Sequence, residues 1–156
     1  MSLNTGDFFK GFAFRSACVS AISILALNLD VQFCMAPPLL VAFTELTNKN
    51  SPASRRFFAV IILVTLSALA GTVSRYFITV TLGLPLALSA FAAGIMVLGL
   101  VKAFSFPFPP AAAMSILAML IPQDSLASYP IQVFAGITLL SLIALVYRKV
   151  LCGKIC

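Results

Sequence analysis

Two proline pairs carry the chemistry that this sequence offers. Pro37-Pro38 and Pro109-Pro110 lie 72 positions apart, and each runs into a short apolar stretch, QFCMAPPLLVAFTEL (32–46) and FSFPFPPAAAMSILAMLIP (104–122). Proline suits the first turn of a helix, where its missing N–H would have been unpaired anyway, so each pair predicts a helix start. A helix that begins inside a bilayer directs its free first amides and the positive end of its dipole at whatever lies ahead, and a small anion suits such an end. The amides of Leu39, Leu40 and Val41, behind Pro38, are therefore candidates to converge with those of Ala111, Ala112 and Ala113, behind Phe108, Pro109 and Pro110. Alanines at the second start would let a ligand approach the backbone closely. The structural alternative is that each Pro-Pro step is a turn from loop into helix, with Ala111 to Ala113 serving tight helix packing.

The elements that position these starts follow from composition. The 156 residues are 62% hydrophobic and 9% charged, with a mean hydropathy of +1.12. A soluble domain of this size cannot hide so much apolar surface. The expectation is an all-α polytopic transmembrane bundle whose partner is the lipid bilayer, because its segments are apolar all round instead of alternating as barrel strands do. The net charge of +6 does not imply nucleic acid, since the ten basic residues sit mostly at the ends of apolar segments. The chain has no histidine, and Cys18, Cys34, Cys152 and Cys156 show no paired C-x-x-C spacing, so neither a disulfide framework, a metal site nor a cofactor is expected. Cys152 and Cys156 are left as free thiols or lipidation sites.

In chain order, Phe12 to Leu29 reads as a retained first span, with no small-x-small cleavage site. The second segment starts cleanly only at Pro37-Pro38 and ends at Thr47, and NKNSPASRR (48–56) is a polar loop. A long span runs from Phe57 to about Leu82, Gly83-Leu84-Pro85 turns the chain into Leu86 to Val101, and Lys102 closes that span. Pro109 to Ile121 is the second short helix, and the last span runs from about Tyr129 to Tyr147. Counting both short segments as crossings gives six spans, with residues 12–82 and 84–150 as two inverted halves in which the second and fifth spans are short and proline-broken. Lys10, Arg15, Lys49, Arg55, Arg56, Lys102, Arg148, Lys149 and Lys154 then fall on one side, whereas the other has Asp30, Asp124 and Arg75 alone among the basic residues. That asymmetry predicts cytoplasmic termini. Short proline-interrupted segments at matching places in two halves are also the sequence pointer to a transporter's binding site.

Further polar residues near the starts are Thr44 and Ser115. Glu45 has two readings, a tie to Arg55 or Arg56 in the loop or a group that titrates with transport. Arg75, roughly 18 residues into its span, belongs near the outer interface, either snorkelling there or drawing anions into a vestibule. Ser67, Gly71, Ala90 and Gly94 permit close helix approach within the bundle or between copies of a homo-oligomer.

FPPAAAMSILAMLIP resembles the signature of the HPP family of integral membrane proteins, named for a His-Pro-Pro motif running into Ala and Gly. APPLLVAFTELTNKNSPASRR resembles that family's other characteristic stretch, and the likeness covers about Met35 to Leu145. Where the family has histidine this chain has Phe108, so no role of that histidine carries over. Plant relatives are associated with nitrite transport across a plastid membrane. The resemblance thus implies transport of a small inorganic anion, nitrite the first candidate, and with no transit peptide visible the expected location is the bacterial inner (plasma) membrane. Enzyme activity is not expected, since no acid pair at workable spacing and no phosphate-cradling glycine loop is present. The alternative is a structural or accessory membrane subunit in which the prolines only shape the bundle.

Overall fold

A computed structural model describes residues 16, 20, 37–48 and 51–149; the four cysteines and, apart from residues 16 and 20, the span proposed over residues 12–29 lie outside them. Every regular element among the described residues is helical. Five α-helices follow in order: α1 Pro37–Thr47, α2 Phe57–Ser74, α3 Leu86–Phe104, α4 Pro109–Leu117 and α5 Tyr129–Tyr147. Pro109 and Pro110 fill the first two positions of α4, as their chemistry predicts, and the described part of α1 starts at Pro37-Pro38.

Among the described residues, three helices are long and apolar enough to cross a membrane. They are Phe57–Thr81, Leu86–Phe104 and Tyr129–Tyr147, which fits an integral membrane protein. Nineteen residues at 1.5 Å each give about 28 Å, close to the hydrocarbon thickness of a bilayer. The first is longer because α2 continues through a wider, π-helical segment, Arg75–Thr81, in which Leu82 N donates to Phe77 O across five residues. Gly83, at φ +66°, then releases the chain into Leu84-Pro85. The 11 residues of α1 and nine of α4 reach only about half of a bilayer's thickness as helix.

The central element is α2, which packs against α3, α4 and α5, while α1 lies on α5 and α4. Without water to drive helices together in lipid, close packing must hold such a bundle, and small residues make it possible. Gly71 of α2 lies so near the Ser115 carbonyl of α4 that the two backbones are almost in contact. Tyr129, fully buried at the start of α5, donates its hydroxyl to the Met114 carbonyl at 2.6 Å and so ties α5 to α4. Tyr129→Phe keeps the ring and strips this carbonyl of a donor. It is expected to cost about 1–2 kcal/mol, read as a lowered unfolding midpoint in detergent; an unchanged midpoint would show that the bond contributes nothing.

Long-range contacts gather the cations at one end. Arg56 Nη1 reaches the Phe104 carbonyl at 3.4 Å, Arg148 donates to the Ser54 carbonyl, and the Arg148 guanidinium lies 5.5 Å from the centre of the Phe57 ring. Arg55, Lys102 and Lys149 are immediate neighbours of these anchors in sequence, so five cations share this end of the bundle. Arg75 and Asp124 belong to the other end, where α2 finishes and α5 begins.

Candidate functional site: two proline-opened helices

At the start of α1 the chain presents Pro38 half-buried, Leu39 fully buried, Leu40 half-buried and Val41 exposed. One turn on, Thr44 turns its hydroxyl back to the Val41 carbonyl at 2.8 Å, the usual refuge of a hydroxyl on an apolar helix. Leu39, Ala42, Phe43 and Leu46 form the buried side of α1, so this helix enters the core by its flank.

The start of α4 is more constrained. Ser105 takes a left-handed conformation at φ 56°, which ends α3 and folds residues 106–108 back toward it. Phe106 and Phe108 are both buried, their ring centres 5.8 Å apart. Phe108 caps the helix, and Pro109 and Pro110 fill its first two positions. Neither proline has an N–H, and the third amide, Ala111 N, donates to the Phe108 carbonyl at 3.0 Å. The Pro-Pro step thus removes two of the donors that a helix start normally offers, and a tight turn engages the next. The dipole keeps its positive end here. Ala111 is buried, Ala113 half-buried, and Ala112 exposed; the buried Ser115 donates its hydroxyl to the Ala112 carbonyl at 2.8 Å.

Beside this start lies a groove of about 370 Å³ between α3 and α4, walled by Gly94, Leu98, Val101, Phe108, Pro109 and Ala112. Among the described residues its lining carries no charged or hydroxyl side chain. The residues of the two helix starts are brought together to this extent: α1 packs against α4, and Leu39, Phe43, Phe108 and Ala111 belong to one continuous buried cluster.

Among the described residues, none of the charged candidates is hydrogen-bonded to either start. Glu45 accepts from the Ser51 hydroxyl at 2.7 Å, so among the described residues its carboxylate is tied to the loop by serine, while Arg55 is exposed and Arg56 turns to Phe104. Arg75, at the opposite end of α2, donates through Nη1 to the carbonyls of Ala118 and Ile121 beyond α4. Sequence reasoning passed over Ser51, Tyr129 and Arg148 as anchors, because no motif marks their partners, which lie 6, 15 and 94 residues away. It also passed over Thr138 and Ser141, buried hydroxyls one turn apart on α5 with no hydrogen-bond partner among the described residues; their i, i+3 spacing was the available signal. No protein-family model, curated protein or solved structure matches the chain.

Proposed function

We propose that this chain carries a small inorganic anion across a membrane, nitrite the first candidate, through a six-span bundle of two inverted halves with cytoplasmic termini. The observation that carries the reading is the recurrence of a proline-opened short helix, α1 and α4, 72 positions apart, both feeding one buried cluster. The gathering of Arg55, Arg56, Lys102, Arg148 and Lys149 at one end supports that end as the cytoplasmic one. An anion at α4 would be held chiefly by the helix field, because Ala111 N is committed to Phe108 O. Capture by that amide requires the Phe108 carbonyl to swing away.

The apolar lining beside Pro109 favours a second reading, a structural or accessory membrane subunit, in which Phe106, Phe108 and the prolines wedge α4 against α3. Liposomes separate the two. Reconstituted protein is expected to give saturable nitrite flux, compared with nitrate, formate and chloride. Pro109→Ala restores an N–H at the first helical position, so it is expected to lower the half-saturating nitrite concentration several-fold, as an added charge-assisted hydrogen bond should. Folded protein with no flux of any of the four anions above empty liposomes would remove the transport reading and leave the accessory one.

A further inference from the structure

The groove between α3 and α4 opens on the outside of the bundle, close to its cationic end, and that combination suggests an occupant. On α3, Gly94, Leu98, Val101 and Lys102 recur at spacings of four, three and one, so they share one helical face. The first three line the groove, and Lys102, exposed, stands one turn beyond Leu98 toward the helix end. Gly94 leaves a notch in this face, since a Cβ there would meet nothing within 4 Å, and the exposed Ala112 leaves the matching wall of α4 shallow. Arg56 is brought to the last turn of α3, the same end of the helix as Lys102, by its contact with the Phe104 carbonyl. One long hydrogen bond leaves most of the guanidinium's five N–H donors for another acceptor. Among the described residues no carboxylate opposes the pair: Glu45 is held by Ser51, and Asp124 lies at the far end.

We propose that this groove is a binding site for one anionic phospholipid, an acyl chain lying along Gly94, Leu98 and Ala112 and the phosphate meeting Lys102 and Arg56. A purely apolar trough that ends at two cations matches a molecule with a long hydrocarbon body and a negative head. A bare anion would find no apolar contact along the trough, and a zwitterionic phospholipid, whose own ammonium offsets its phosphate, would neutralise the two cations less well. The site rests on the membrane character of the chain and stands whether or not the chain moves an anion.

Native mass spectrometry of the full chain released from detergent tests it, with phosphatidylglycerol and phosphatidylcholine of identical acyl chains as probes. The expected result is one phosphatidylglycerol retained with roughly five-fold or greater preference over phosphatidylcholine, the scale set by two cations near a lipid phosphate. Lys102→Gln, at an exposed position, should cut that preference several-fold. Gly94→Leu should fill the notch and remove the retained lipid without lowering the unfolding midpoint of delipidated protein. Millimolar inorganic phosphate should not displace the lipid. Equal retention of the two lipids, indifference to both substitutions, or full displacement by free phosphate would each overturn the proposal.

Discussion

Gly71→Ala is expected to destabilise the bundle by about 3 kcal/mol or more, at or beyond the upper end of ordinary overpacking. A Cβ on Gly71 would lie 2.2 Å from the Ser115 carbonyl oxygen, 2.9 Å from the carbonyl carbon and 2.9 Å from Ala118 Cβ. None of these atoms is the end of a flexible side chain, so no rotamer change can make room. Relief has to come from moving α4 off α2 as a body. That movement would also disturb the Ala118 carbonyl that Arg75 holds, so the loss should not be confined to one contact. Gly94→Ala is the matched comparison, because the same methyl on α3 meets nothing within 4 Å. There the gain in helix propensity, up to about 1 kcal/mol, should act alone. Unfolding midpoints of both variants in one detergent check the pair; a Gly71→Ala midpoint equal to that of the unaltered chain would show that α4 sits further from α2 than described.

The contrast between these two glycines shows where the sequence stops being informative. Helix starts at Pro37 and Pro109 were legible because proline chemistry is local, and so was the turn at Gly83-Leu84-Pro85. Which face of each helix packs inward was not. In α2, α3 and α5 apolar residues run around the whole circumference, so the 3.6-residue period that marks a buried stripe on a soluble helix is absent. Gly71 and Gly94 therefore look alike in sequence, each a small residue in an apolar run. Only the crossing of α2 and α4 makes one of them indispensable. The commitment of the amides at α4 had a local cause, two successive residues without N–H, and was open to reasoning from Pro109-Pro110 alone. The partners of Glu45 and Arg75 were not, because Ser51 depends on how the 48–56 loop folds and the Ala118 and Ile121 carbonyls lie more than 40 residues from Arg75.

Arg75→Leu is expected to lose about 3–6 kcal/mol of stability, two hydrogen bonds from a charged donor at roughly 1.5–3 kcal/mol each. The carbonyls concerned belong to the stretch just past α4, where helix geometry no longer supplies partners. Met119 N and Leu120 N close tight turns onto Ile116 O and Leu117 O, and Arg75 Nη1 meets Ala118 O at 2.7 Å and Ile121 O at 2.5 Å. A cation at this point also opposes the negative end of the α4 dipole. Leucine would leave both carbonyls without this donor in a half-buried setting. Lysine retains the charge but offers a compact ammonium on a more flexible stem in place of a planar fork, so Arg75→Lys should recover about half of the loss. This tie is distinct from the snorkelling and anion-attracting roles that its place in the sequence suggested, and the variants tell them apart. A structural tie lowers the midpoint in the order unaltered chain, Arg75→Lys, Arg75→Leu, with any fall in flux following the folded fraction. If Arg75→Leu instead kept its midpoint and lost nitrite flux in liposomes, the guanidinium would be serving the anion, and the carbonyl bonds would contribute little to holding α4.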